Sequence, residues 1–147
     1  MKIYTINGTP IIESERLIRI IGFLSAGKYG AEHSKAAALF PFMFVQKKEY
    51  ATPIFVNHER IHFRQQIELL FIGVLLLNLI EDFYARFFLK LEASDSYLYR
   101  ATEQEAYINQ HNLKYLENRS SYSIFSYLKN KRKITFIEER LPEVTIQ

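Results

Sequence analysis

Two histidines stand four residues apart in the stretch VNHERIHFRQQ, which covers residues 56–66. The pair is His58 and His62, and Glu59 directly follows the first histidine. On a helix, residues four apart lie on the same face, so both imidazoles can bind one metal ion. Glu59 projects beside them, where it can accept a proton from a metal-bound water. This H-E-x-x-H spacing therefore predicts a zinc-binding helix that carries a general base.

A catalytic zinc site needs a third protein ligand and a position left open for water. The chain has no cysteine, so the third ligand must be a histidine or a carboxylate. Downstream of the motif, the stretch TEQEAY offers Glu103 and Glu105 at the start of a predicted helix. These two carboxylates lie about 200° apart around a helix, so we do not expect both to bind the ion. His111 is a more distant candidate, and a lone histidine is more often an ordinary polar side chain.

Composition limits the class of protein. A chain of 147 residues can bury one modest core, which predicts a single domain over residues 1–147. The 19 basic and 16 acidic residues leave a net charge of +3, which is too small to predict nucleic-acid binding. The N-terminal stretch MKIYTINGTPIIESERL lacks the apolar core of a signal peptide, which predicts a cytoplasmic location. Neither feature predicts an oligomeric state.

One apolar segment raises the question of membrane contact. Residues 67–80, IELLFIGVLLLNLI, are nearly all apolar, but the uncharged part, residues 69–80, is only 12 residues long. A spanning helix needs about 20 residues, and shorter runs are more often buried core helices. We therefore expect this segment to be buried, and peripheral membrane association is the weaker alternative.

The remaining patterns predict a mostly helical α+β fold with a small sheet near the N-terminus. MKIYTI followed by Asn-Gly indicates a strand and a turn, and residues 42–46 indicate a second strand. The first half of residues 15–30 fits a strand or a helix, and the second half is a glycine-bearing stretch. Helical spacing begins near Pro53 and returns in residues 81–91. Residues 92–97 are typical of a loop, and Thr102 can cap a helix that reaches residue 119. A last short helix is predicted in residues 121–130.

Three stretches together resemble a known family. They are FPFMFV at 40–45, NHERIHFRQQIELL at 57–70 and YRATEQEAYINQHNLKYLENR at 99–119. They resemble small zincin-like metallopeptidases of the gluzincin type, with an active-site helix carrying HExxH, that are common in Bacteroidetes. The resemblance implies a zinc ion bound by His58, His62 and Glu103, with Glu59 as the general base and a peptide or protein as substrate. It also implies that the strand at Phe42–Gln46 is the sheet edge along which a peptide lies.

The chain also departs from that family. Tyr107 stands where many members have Asp or Asn to orient a histidine ligand, which leaves Asn57, Gln65 and Gln66 as candidates for this role. Four side chains are candidates for stabilising an oxyanion: Tyr99, Tyr107, Arg64 and His111. Two functions therefore remain open: a zinc peptidase, or a zinc-binding domain that acts in binding or regulation with little turnover, with membrane association as a further possibility.

Overall fold

The computed structural model of this chain describes residues 1–131, which form a mixed α+β fold. Four short strands and one helix come first, and helices make up the rest of the described chain. The elements are β1 (Lys2–Ile6), β2 (Thr9–Glu13), α1 (Glu15–His33), β3 (Ala36–Leu39), β4 (Phe42–Val45), α2 (Pro53–Glu68), α3 (Ile72–Phe87), α4 (Ala93–Tyr99), α5 (Ala101–Asn109), α6 (Tyr115–Asn118) and α7 (Ile124–Lys129). The predicted fold class is confirmed. The single domain over residues 1–147 stays a prediction, and residues 132–147 lie outside the described chain.

The sheet begins with the predicted hairpin. Asn7 and Gly8 connect β1 to β2, and both have positive φ, 49° and 78°, as a tight hairpin turn of this kind requires. The strand order is β1-β2-β4-β3, with β2 parallel to β4 and β3 antiparallel to β4. Strand β4 is therefore an interior strand of the sheet.

The expectation that Phe42–Gln46 forms the sheet edge is wrong. Residues 36–39 add a strand outside β4, with Ala36 opposite Val45 and Leu39 opposite Phe42, so β3 is the edge instead. Alanine-rich stretches have low intrinsic β-propensity, and AAAL gives little sign of a strand by itself. Pairing with β4 and contacts with α1 and α2 hold β3 in place.

Helix α2 carries the H-E-x-x-H motif through the middle of the molecule. Its N-cap is Thr52, whose hydroxyl accepts a hydrogen bond from Phe55 N at 3.3 Å. One side packs Val56 and Phe63 into the core beside the sheet, and another side contacts α5. The helix ends at Glu68 because the backbone of the next residues leaves the helical region, with positive φ at Leu70 and Phe71.

Helix α1 has a sharp kink at Ala26 and Gly27. The φ angle of Gly27 is 61°. The kink brings the two halves of α1 together at Gly22 and Gly30. A Cβ atom on Gly22 would lie 2.3 Å from the Gly30 carbonyl oxygen, so this contact requires glycine. The second half of α1 is thereby placed beside the start of β3.

Three expectations about the later helices need correction. The helical stretch expected from Pro53 onward breaks at residues 69–71, and its second part joins the stretch expected at 81–91 to form one helix, α3. The expected loop at 92–97 lies largely in α4, because Ser96 is buried and its hydroxyl donates to Asp82 Oδ1 at 3.0 Å, a contact that residue spacing does not predict. The helix expected to reach residue 119 ends at Asn109. Thr102 lies inside α5 and does not cap it.

The expectation that the apolar segment 67–80 is a buried core helix is also wrong. Of the 16 residues of α3, only Glu81 and Ala85 are buried. No helix in residues 1–131 combines the length and the apolar character that crossing a bilayer requires.

Candidate metal centre

Helix α2 presents the two motif histidines side by side, as their spacing predicts. The Nε2 atoms of His58 and His62 are 3.1 Å apart, and both rings are largely shielded from solvent. A direct hydrogen bond between two Nε2 atoms requires a proton on one of them. A shared cation satisfies both lone pairs at once.

Helix α5 supplies a carboxylate to the same point. Glu103 Oε2 lies 3.6 Å from His58 Nε2 and 3.6 Å from His62 Nε2. This oxygen is buried and has no hydrogen-bond partner among the described residues. A buried carboxylate oxygen without a donor is costly, so an atom that pairs with it is expected at this position.

The three atoms fit a zinc ion. Ligand atoms bound tetrahedrally at about 2.0–2.1 Å from one zinc ion are about 3.3–3.4 Å from one another. The observed separations of 3.1, 3.6 and 3.6 Å bracket that value. Among residues 1–131, His58, His62 and Glu103 form the one group of at least three potential ligand side chains whose atoms lie this close together. The donor set of two imidazoles and one carboxylate also matches what zinc prefers in open sites.

Gln65 orients His62 and selects its tautomer. Gln65 Oε1 lies 2.8 Å from His62 Nδ1, while Gln65 Nε2 donates to Thr102 O at 3.1 Å and to Glu105 Oε2 at 2.8 Å. Since both acceptors require the amide nitrogen on their side, the amide oxygen must face the imidazole. His62 therefore donates from Nδ1, and its Nε2 faces the other two ligand atoms.

His58 has an equivalent partner from another part of the chain. Its Nδ1 lies 3.1 Å from Gln110 Oε1. The segment that carries Gln110 is attached to α2 by Asn57, whose amide nitrogen donates to the carbonyls of Gln110 at 2.9 Å and Asn112 at 3.1 Å. The Tyr107 ring packs edge-on against the His58 ring, with centroids 4.7 Å apart. Each histidine thus has one glutamine acceptor that leaves its Nε2 directed at the centre.

Glu105 is placed where it cannot serve as the third ligand. Its carboxylate accepts from Arg119 Nε at 2.6 Å, from the Tyr115 hydroxyl at 2.9 Å and from Gln65. Arg119 also pairs with Glu68 at 2.7 Å, so one buried guanidinium bridges two carboxylates. Of the two candidates that the sequence left open, Glu103 lies beside the histidines. Glu105 instead accepts a hydrogen bond from Gln65, the residue that orients His62.

The charges of the cluster stabilise one another. Burial by itself raises the pKa of the Glu103 carboxyl, but the two imidazoles lower it well below its usual range. Burial lowers the pKa of His62, but the carboxylates of Glu103 and Glu59 outweigh this and raise it to about 9. The proton on His62 thus supplies positive charge at the position that a bound cation would occupy.

Glu59 is buried beside this cluster, and burial is the main cause that raises its pKa. The neighbouring imidazoles lower the pKa of Glu59 and so offset part of this effect. A cavity of about 280 Å³ lies against Glu59 and His58, with Tyr107 in the same wall. Tyr29 from α1 and Ala36 from the edge strand β3 line the cavity as well. It therefore joins the carboxylate to the edge of the sheet.

Of the four candidates for stabilising an oxyanion, one lies at the site and three lie elsewhere. Of the oxyanion candidates, Tyr107 lines the cavity, where burial and the nearby carboxylates raise its pKa far above the usual range. Tyr99 instead lies against Tyr84 of α3, and Arg64 and His111 are exposed.

Two side chains at the site were not predicted. Burial and the nearby Glu103 carboxylate raise the pKa of the Tyr97 phenol, and Tyr97 also lines the cavity. Tyr97 was missed because its segment was expected to be a loop. Gln110 was not predicted because it lies far from His58 in the sequence. It is the residue after α5, and it contacts His58 only because α5 packs across α2. Of the three polar residues proposed to orient a histidine, Gln65 does so, whereas Gln66 donates to Ala38 O at 2.9 Å in β3.

Comparison of the chain with models of known protein families, with curated proteins and with solved structures found no match.

Proposed function

We propose that this chain is a zinc-dependent peptidase in which His58, His62 and Glu103 bind the ion and Glu59 is the general base. One observation carries the proposal. Three potential ligand atoms from two helices, one of them a buried carboxylate oxygen without a hydrogen-bond partner, lie 3.1–3.6 Å from one another, and a second buried carboxylate, Glu59, lies beside them. A site with only a structural role has no use for that additional carboxylate.

Zinc bound at this site would lower the pKa of a water molecule and polarise the substrate carbonyl. Glu59 takes the proton of the attacking water, the C–N bond breaks, and Glu59 passes the proton to the leaving amine. Burial raises the pKa of Glu59 above that of an ordinary carboxyl group, which strengthens its ability to hold the proton between the two steps.

Tyr107 is the residue that we propose for stabilising the oxyanion. Its raised pKa keeps the phenol protonated, so the hydroxyl can donate a hydrogen bond to negative charge on the carbonyl oxygen. Because it lines the same cavity as Glu59, both side chains can reach one bound peptide group. The remaining oxyanion candidates lack that placement.

The substrate that we propose is a short peptide or an extended segment of a protein. Strand β3 pairs with β4 on one side only, and its first residue, Ala36, lines the cavity. An extended peptide can add to such an edge through backbone hydrogen bonds. We therefore propose β3, instead of the strand at Phe42–Gln46, as the edge to which the peptide adds. The cavity of about 280 Å³ lies at the small end of the range of ligand pockets, which suits a short segment of the substrate.

The test is zinc content per chain, measured by elemental analysis on protein purified without chelator. The wild type is expected to hold about one zinc ion, and His62→Ala to hold almost none. His111→Ala is the matched control, because His111 is an exposed histidine outside the cluster, and it should keep its zinc. An absence of zinc from the wild type, before and after zinc is added, would refute the proposal.

The same preparations separate the enzyme from a zinc-binding domain without turnover. Wild type and Glu59→Gln are incubated with an unstructured peptide library, and the products are identified by mass spectrometry. Cleavage that Glu59→Gln abolishes at unchanged zinc content supports the peptidase. Full zinc occupancy without Glu59-dependent cleavage would assign the chain to the second class.

A further inference from the structure

Helix α3 has the reverse of the usual polarity of a surface helix. A helix on a globular protein normally turns its apolar side chains to the core and its polar ones to water. In α3 the buried residues are Glu81 and Ala85, while large apolar side chains face outward along its whole length. The inward face is therefore the polar one.

Specific hydrogen bonds hold α3 in this rotation. Asn78 Oδ1 accepts from the Thr102 hydroxyl at 2.8 Å, and Glu81 Oε2 accepts from the backbone nitrogen of Ala101 at 2.9 Å. Asp82 pairs with the buried guanidinium of Arg100. Because these three contacts span more than one turn, the helix cannot rotate its apolar side toward the core without breaking all of them.

The outward side chains form what we call the α3 face. Its seven members are 54% to 68% exposed: Ile72, Leu75, Leu76, Leu79, Ile80, Phe83 and Phe87. At 100° per residue they cover an arc of about 140°. Exposed apolar residues continue the face at both ends, with Leu70 before the helix and Phe88 after it. Apolar patches of several hundred Å² on a folded protein mark sites of contact with a partner or a membrane.

Within residues 72–90 the exposed charged side chains are positive. The two acidic residues of α3, Glu81 and Asp82, point inward and are paired with Lys131 and Arg100. Arg86 in the last turn is exposed, and the Lys90 ammonium lies 5.0 Å from the centre of the Phe87 ring. Long basic side chains beside aromatic rings suit the boundary between lipid headgroups and acyl chains.

We propose that the α3 face docks on the surface of a lipid bilayer containing anionic lipids, with the helix lying in the plane of the interface. The charge pattern favours this surface, since Arg86 and Lys90 complement acidic headgroups. The exposed width agrees with this orientation, since an apolar arc of about 140° can face acyl chains along the whole helix while the polar side faces the protein. The proposal does not depend on the metal centre.

The first test is flotation of the full chain with lipid vesicles on a density gradient. Binding is expected to vesicles of phosphatidylcholine with about one quarter phosphatidylglycerol, and to be at least tenfold weaker to pure phosphatidylcholine. Leu79→Glu should weaken binding at least tenfold. Ile3→Glu is the matched control, because Ile3 of β1 is 66% exposed, as Leu79 is, but lies outside the α3 face. Equal effects of the two variants, or no binding by the wild type, would overturn the proposal.

A second measurement reports on the α3 face directly. The chain contains no tryptophan, so Phe83→Trp introduces a single fluorophore on the face and Ile3→Trp introduces one away from it. Anionic vesicles should shift the emission of Phe83→Trp to the blue, and brominated lipids should quench it, with neither effect in Ile3→Trp. If Phe83→Trp is already shielded without vesicles, and light scattering shows a stable dimer, the face is covered by a second copy and the lipid proposal is wrong. Shielding in a monomer would show that the chain itself covers the face, and would overturn the proposal equally.

Discussion

Replacing Gln65 with leucine tests whether the support of the metal centre works as the hydrogen bonds imply. Gln65 is fully buried, and its amide joins His62 Nδ1 to Thr102 O and to Glu105 Oε2. Leucine has a similar volume and neither accepts nor donates. Gln65→Leu therefore removes the acceptor that keeps the proton on His62 Nδ1, without opening a large cavity.

Two quantities should change. Loss of a partner that orients a histidine ligand typically weakens metal binding about 10- to 100-fold, which corresponds to about 1.4–2.7 kcal/mol. The buried oxygens of Thr102 and Glu105 also lose a donor, so the free energy of unfolding of the metal-free protein should fall by about 1–3 kcal/mol. Zinc affinity is measured by competition with a chromogenic chelator, and stability by urea unfolding in the presence of a chelator.

Gln66→Leu is the control that separates the two effects. Gln66 is the next residue of α2, and its amide also makes two hydrogen bonds, to Ala38 O at 2.9 Å and from Phe40 N at 2.8 Å. It does not contact either histidine. Gln66→Leu should therefore lower stability while leaving zinc affinity within about twofold of wild type. If both variants lose zinc affinity equally, or Gln65→Leu loses none, the account of His62 orientation is refuted.

Glu59→Gln should keep its zinc and lower kcat about 10²- to 10⁴-fold, because an amide cannot accept the proton; peptide turnover at matched zinc content measures this. Arg119→Leu leaves Glu105 as a buried charge without its main partner, so the free energy of unfolding should fall by about 3–5 kcal/mol, against less than about 0.5 for the exposed Lys114→Leu. Similar losses in the two variants would contradict the role of Arg119. In metal-free protein, burial lowers the pKa of His62, but the carboxylates of Glu103 and Glu59 outweigh this and raise it from its ordinary 6.5 to about 9. The resulting stabilisation is complete below pH 6.5 and is lost as the pH rises through 9, so urea unfolding in chelator should show a decline over that range that is absent in His62→Gln.

Local geometry made the central part of the site predictable. The side-by-side placement of His58 and His62 depends only on α2 being helical, and Pro53 marks its start in the sequence. The hairpin at Asn7 was predictable for the same reason, since a two-residue turn depends on the φ values that its own residues accept. Zinc as the ion stays a prediction that rests on the chemistry of the ligands.

Predictions from the sequence were wrong where contacts between residues distant in the chain determined the structure. The same pattern of residues that predicted a buried helix at 67–80 forms an exposed one, because Asn78, Glu81 and Asp82 found partners on α4 and α5. The hydrogen bonds of these three polar side chains therefore turn the polar side of α3 inward, although most residues of the helix are apolar. Similarly, β4 became an interior strand only because residues 36–39 paired with it.

The sequence by itself determined the placement of the two histidines on one helix face with Glu59 beside them, and it excluded a cysteine as a third ligand, because these follow from spacing within one helix and from the absence of cysteine. The tertiary structure decided which carboxylate lies beside the histidines. Glu103 and Glu105 are equivalent by type and nearly so by position, and only the crossing of α5 over α2 directs the first at the histidines and the second at Arg119. It also decided that Gln110, 52 residues from His58, completes the support, since contacts between distant segments depend on how the helices pack and not on residue spacing.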